Sequence, residues 1–415
     1  MKRAYITLLT AIFVHFLSSL LAGQETIPAK IVITETAGLA REREYIEIPL
    51  QLIPTVPETP EATVFAIDEK SGEKIFCQVI REQDSPDKRF SFIRLVFPVS
   101  LSAHASKTFS LKEEKSSPQR KTDLRMEGEG LELKIENEFY RADLTKRPEP
   151  EPKIHASGQL QELLIKMGFN QLLTNAEDRI HWAPNFKREE LEYYTTIAHW
   201  DNPRHYTLKT GNYLIRTIRQ DLAPDHPEIM LTAVYKFYSG APYFKFYSEM
   251  EFIQDLPLEL LRNDEMTMDS MFTHLAFQRP GGEIVEVGIE ERQKILDQHP
   301  IEDDAPWVCF FNADHGFAYG TIRLRYNNRN RVGELSPTYL PHTQIGAWLD
   351  RRYWNRRLIH DHLTFVPEGS RYAEENAYLV FRIGKTETDR FETIEYWAKR
   401  LRRPLEVRVL PGGGK

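Results

Sequence analysis

At 415 residues, with 41% hydrophobic and 11% aromatic content, the chain is too long for one ordinary core and carries enough apolar mass for two, one of them large. A formal net charge of −7 gives no basic footprint for nucleic acid, and no apolar run after Gly23 is long enough to span a membrane. The two cysteines, Cys77 and Cys309, are too few to staple a fold, and each reads as a buried free thiol.

In chain order, Lys2 and Arg3, the apolar stretch Ala4–Phe16 and the small-residue end Leu21-Ala22-Gly23 read as a secretory signal peptide over 1–23. Its removal implies a secreted or periplasmic protein with no membrane span. Six short β-runs follow between Lys30 and Lys112, separated by Pro54, Pro57, Pro60, Ser71-Gly72 and Asp84-Ser85-Pro86. Their spacing, with no amphipathic helix among them, predicts a small immunoglobulin-like β-sandwich over 24–115. The polar stretch Glu113–Asp123 reads as a linker.

From Leu131 to about Ile383 strand follows strand. The clearest unit is Ile229–Gln254, two arms joined at Ser239-Gly240-Ala241-Pro242. Phe244, Phe246, Met250 and Phe252 alternate against Tyr243, Lys245, Tyr247, Glu249 and Glu251, the period-two pattern of a sheet with one buried side. So many strands require two packed sheets rather than one open one. Arg390–Arg402 carries an apolar stripe stopped by Pro404 and is the best helix. The chain therefore reads as all-β: the small sandwich, then a large antiparallel β-supersandwich over 125–410 with a C-terminal helix. The tail from Pro411 reads as disordered. No nucleotide loop, HExxH, CxxC or GxSxG occurs, and no cofactor is expected.

The strings LELKIENEFYRADL (131–144), Gly158–Leu163 and VYKFYSGAPYFKFYSEMEF resemble the opening strands and central hairpin of galactose-mutarotase-like β-supersandwich proteins. The segment TETAGLAREREYIEIPLQL is similar to the N-terminal domain of bacterial proteins resembling exo-rhamnogalacturonan lyases, although the helical domain of those lyases has no counterpart here. The resemblance implies a protein that acts on or binds a polysaccharide or oligosaccharide.

Histidines gather after residue 180. In the densest polar and aromatic run, Trp348–His362, strict alternation puts Arg352, Trp354, Arg356, His360 and His362 on one face and Arg351, Tyr353, Asn355 and Arg357 on the other. Trp354 offers a stacking ring for a pyranose, and the arginines offer forks for a carboxylate. His360 and His362, even with His342, form only part of a metal site, and no metal is assigned. His199 and Trp200 precede a loop at Asp201-Asn202-Pro203 that can deliver a base and a ring, while His274 interrupts the apolar run Met271–Phe277.

These readings combine into one expected groove. His199, His274, Tyr353 and His360 are its catalytic candidates, and Trp200, His342, Arg352, Trp354 and Arg356 its substrate-binding lining. The chemistry that fits first is a polysaccharide lyase acting on a uronate-containing polymer, with His199 or Tyr353 as base and an arginine neutralising the carboxylate. A non-catalytic carbohydrate-binding or sugar-epimerising protein, or a glycoside hydrolase on the same scaffold, remain as alternatives.

Overall fold

The computed structural model describes residues 29–52, 63–83, 91–114, 122–146, 157–174, 180–182, 184–200, 203–292, 300–339, 342–348 and 351–411. The segment read as a signal peptide, the centre of the linker, Asp201-Asn202 and residues 412–415 lie outside these. The chain divides into two compact units, Met1–Gln119 with Leu405–Lys415, and Arg120–Pro404. Both are β-built, and the one α-helix of four or more residues among the described residues is Glu392–Arg402.

The smaller unit is a seven-stranded antiparallel arrangement. Its strand Lys74–Gln83 pairs with Thr63–Asp68 through its first half and with Ser91–Leu101 through its second, so one strand passes from one layer to the other. Ile31, Ile33, Ile48, Leu95, Phe97 and Phe109 fill the interior, with the Phe97 and Phe109 rings edge to face at 5.6 Å. The sequence reading put Glu406–Leu410 in the larger domain and Pro411 in a disordered tail, but Glu406–Pro411 is one strand. Its backbone instead pairs with Ala29–Thr34 at the sheet edge, a strand that Pro404 and the short, charged sequence Glu406-Val-Arg-Val conceal.

In the larger unit a nine-stranded sheet carries a five-stranded and a six-stranded sheet on one face. The predicted hairpin is its centre. His226–Tyr238 pairs with Tyr243–Phe252 in the register Phe237 to Phe244, and Tyr235, Phe237, Phe244, Phe246, Met250 and Phe252 are all buried. Gly240 has φ of 61°, a left-handed conformation that glycine takes without a Cβ clash. Asp123 fixes this turn, accepting hydrogen bonds from the Ser239 hydroxyl at 2.6 Å and the Gly240 N–H at 2.9 Å.

His181 lies at the centre of this core. It is fully buried, with Nδ1 3.0 Å from the Tyr235 hydroxyl and its ring 3.9 Å from that of Tyr378. On the opposite side of the nine-stranded sheet the helix covers one end, placing Phe391 5.5 Å from Trp307, Ile394 against Gly320 and Trp397 5.1 Å from Tyr243. Glu392 and Glu395 in its first turn and Lys399, Arg400 and Arg402 in its last complement the helix dipole. Cys77 and Cys309 are buried thiols outside any disulfide, one in each unit, and burial pushes the Cys309 thiol up.

Candidate functional site

The six-stranded sheet contains Asn185–Lys187, Thr195–Thr196, Leu256–Asp269, Ile301–Glu302, His342–Trp348 and Arg351–Val366. One face closes the core. The other turns outward, and its side chains are set by the strand Arg351–Val366.

Along this strand Trp354 and Arg356 point inward and are buried, whereas Tyr353 and Arg357 are half-buried on the outward face. The alternation then breaks. Arg357 pairs with Arg262 but Ile359 pairs with Leu261, so Leu358 is an extra residue on one strand. This bulge inverts the pattern and brings His360 onto the face of Tyr353 and Arg357. The Arg357 Nη1 lies 3.0 Å from His360 Nε2. A guanidinium can only donate, so Nε2 is the acceptor and the ring proton sits on Nδ1. Arg357 also donates from Nε to Asn355 Oδ1 at 3.1 Å.

Cross-strand pairing builds the rest. Thr196 is in register with Asn185, Asn185 with Arg262, and Arg262 with Arg357, a polar row across four strands. Arg262 donates to Asn185 Oδ1 at 3.3 Å and its guanidinium carbon lies 5.6 Å from the Tyr194 ring centroid. Gly346, Tyr353 and Thr267 form a parallel row, and Gln344 faces Asn355. Among the described residues Arg262 meets no carboxylate, and it stands directly opposite a second arginine. Thr196 Oγ1, Arg262 Nε and Asn355 Nδ2 are buried on this face with no hydrogen-bond partner among the described residues.

The arginines and tryptophan expected to line a groove are turned the other way. Trp354 is wholly buried 4.7 Å from Phe310 of the facing sheet, because its parity places it inside. Arg356 spans the sandwich, bonding Glu374 at 2.5 Å as well as Asp303, with its guanidinium 4.2 Å from the Tyr326 ring. Burial pushes the Tyr326 hydroxyl up. Arg352 is mostly buried and among the described residues reaches the Arg351 carbonyl at 3.0 Å and Glu290 at 3.9 Å.

Trp200 is also core, donating to the Leu222 carbonyl at 2.9 Å beneath the Arg219 guanidinium. His274 sits on the helix-covered side of the nine-stranded sheet, stacked on Phe311, which meets Phe391. The full thickness of the core separates it from Tyr353 and His360, so one groove cannot hold all four catalytic candidates. His199 ends a short 3-10 turn beside Thr196, and His342 opens the strand His342–Trp348; both side chains lie outside the description. His362 is exposed, 5.3 Å from the Tyr339 ring. Among the described residues no three His, Cys, Asp or Glu side chains gather as metal ligands.

Of the expected set, the structure thus puts Tyr353 and His360 on one face, seven residues apart along one strand, and adds Asn185, Tyr194, Arg262, Gln344, Asn355 and Arg357 to that face. Such a face can hold a carboxylate on two guanidiniums beside the His360 imidazole, with Tyr353 four residues, or about 13 Å, from Arg357 along the strand. Arg262 was hidden because Leu256–Asp269, with its leucines and its Arg-Asn-Asp-Glu centre, shows no period-two pattern. Register shifts after Leu258, Leu261 and Asn263 remove it.

No protein-family model matches the chain, and no curated protein matches it. Its fold is similar to that of a glycosyl hydrolase family 38 protein from Enterococcus faecalis, with a TM-score of 0.53, 12% identity, 92% of this chain covered and 47% of that one. It is also similar to an alpha-mannosidase from Enterococcus faecalis V583, with a TM-score of 0.54, 10% identity and coverages of 93% and 46%. A galactose mutarotase-like protein from Lactobacillus casei ATCC 334 aligns over 60% of this chain and 99% of its own at 8% identity and a TM-score of 0.36. The chain spans about half the length of the first two structures. What it shares with them is a β-rich fold that also occurs in carbohydrate-active proteins.

Proposed function

We propose that this is a secreted or periplasmic carbohydrate-active protein that binds a uronate-containing polysaccharide on the outward face of the six-stranded sheet and cleaves it by β-elimination. The observation that carries this reading is the in-register pair Arg262 and Arg357 on the same face as Tyr353 and His360. Two guanidiniums hold the uronate carboxylate and stabilise the charge that builds on it as the neighbouring C–H bond ionises. His360 takes that proton at Nε2, which Arg357 releases as it turns to the carboxylate, the electron pair forms the C=C bond, and the glycosidic oxygen leaves and is protonated. The charged-then-apolar N-terminal stretch supports export.

Hydrolysis is the second reading, favoured by the fold likeness to a glycosyl hydrolase family 38 protein and an alpha-mannosidase. It requires two carboxylates flanking the scissile bond. Sugar binding or epimerisation without cleavage is a third. Incubation with a panel of uronate polymers separates them. Ultraviolet absorbance of an unsaturated uronate, lost in Arg262→Ala and Arg357→Ala, is the expected result. New reducing ends without that absorbance would replace the lyase by a hydrolase, and binding without either would leave a binding protein.

A further inference from the structure

The Arg357 guanidinium covers the imidazole beside it. Its Nη1 donates to His360 Nε2 at 3.0 Å and its Nε to Asn355 Oδ1 at 3.1 Å, so two residues of its own strand hold it at two edges. The two holds differ. Asn355 is wholly buried, with Gln344 in register beside it, whereas His360 is half-buried at the outer surface. A lone pair that accepts from a guanidinium is closed to a C–H proton, and a cation in contact disfavours a second positive charge on the ring. On the neighbouring strand Glu259 and Arg262 lie within two residues of Leu260, the partner of His360, and Glu259 is bonded to Lys187 at 2.7 Å. On its own strand the other imidazole, His362, lies 5.3 Å from the Tyr339 ring. Among the described side chains the charge around His360 is therefore positive on balance.

Resting on the reading of this face as a uronate lyase site, we propose that Arg357 is a carboxylate-operated cap on His360, tethered by Asn355, and that the substrate is for this reason a polymer of free, unesterified uronates. A free carboxylate draws the Nη edge of Arg357 onto itself and uncovers Nε2, while Nε keeps its bond to Asn355. A neutral sugar or a methyl-esterified uronate has no charge to draw it and leaves the base covered. The C–H proton then passes to Nε2, its electron pair forms the C=C bond, and the glycosidic C–O bond breaks with its oxygen taking a proton from water. The carboxylate between the two guanidiniums offsets the charge that the imidazolium adds. Asn355 acts through Arg357 and is a positioning residue.

The test is NMR titration of the His360 ring in the full chain, its signal assigned by its loss in His360→Gln. Arg357→Met should raise the ring's proton affinity at least about tenfold over the parent, because it removes both the donor and the charge. Saturating disaccharides of galacturonate, glucuronate or mannuronate, whichever bind by calorimetry, should raise it similarly in the parent, and their methyl esters should not. Asn355→Ala should lose part of the difference between the free and the bound protein, and Asn355→Asp, which still accepts from Nε, should restore it. Equal proton affinity in the parent and Arg357→Met would overturn the cap, whatever binds. A uronate that binds without changing the titration, or a methyl ester that changes it as much, would overturn its operation by the carboxylate while leaving the uronate site intact. If none of the uronates binds, the uronate site falls and the release with it, and the comparison with Arg357→Met still decides the cap.

Discussion

The ring of Tyr353 lies across the backbone of Gly346 on the neighbouring strand, so close that a Cβ at position 346 would fall inside it. Gly346 is thus the floor on which the phenol rests. Gly346→Ala must push the ring off this position. Because Tyr353 is half-buried and can swing outward, the stability cost should sit near the low end of overpacking, about 1 kcal/mol, while uronate binding falls more steeply. Gly346→Ala combined with Tyr353→Ala should recover the lost stability but not the binding, a coupling that urea denaturation and titration read separately.

Neighbouring arginines should respond in opposite ways. Arg356 is 1% exposed and its partner Glu374 2%, so Arg356→Met takes the guanidinium from a buried carboxylate, at about 3–5 kcal/mol. Arg356→Met with Glu374→Leu should regain most of this. Arg357→Met, on the outward face, should cost under about 1 kcal/mol but weaken binding of uronate oligomers. Equal destabilisation by the two single variants in urea would contradict the assigned orientations.

His181 predicts a pH dependence. Burial among Tyr235, Tyr378, Phe244 and Phe246 lowers its pKa well below 6.5, so the folded state holds it neutral. Below pH 6.5 the unfolded chain binds a proton that the folded chain does not, and stability falls as the pH drops. His181→Gln should flatten this part of the stability profile of the larger unit. An unchanged slope between pH 7 and 5 would show that His181 does not carry it.

Glu35 governs a lower range in the smaller unit. Burial alone would raise its carboxyl, but the N–H of His104, the Arg41 guanidinium and the N–H groups of Ala37 and Leu39 hold it down at about 2. Its contribution is complete above the ordinary value of 4.5 and is lost as the pH falls toward 2. Glu35→Gln should destabilise at neutral pH and lose that acid-sensitive segment, as followed by circular dichroism.

The parts of this architecture legible in the sequence are those where one face of a strand is wholly apolar. Phe244, Phe246, Met250 and Phe252 announce their strand, and Phe391, Ile394 and Leu401 announce the helix. The site was legible only in part, because its sheet depends on irregularity. One extra residue, Leu358, decides which way His360 points, and alternation carried unbroken through it groups His360 with Arg356 instead of Arg357. Nor can strand spacing reveal that Arg356 has a carboxylate waiting on the facing sheet, since Glu374 lies beyond a separate loop. His274 looked like a site residue because it interrupts an apolar run, but Phe311 beside it explains the exception by stacking.

The pairing of Ala29–Thr34 with Glu406–Pro411 also sets an order of events during synthesis. Every residue of the larger unit emerges from the ribosome before the smaller unit can receive its last strand. Until then Ala29–Thr34 presents an open edge, AKIVIT, with Ile31 and Ile33 on one side. Such an edge invites pairing with other chains. The nascent protein must therefore keep this edge covered or brief, and its yield should depend more on chaperones and growth temperature than the stability of the finished molecule would suggest.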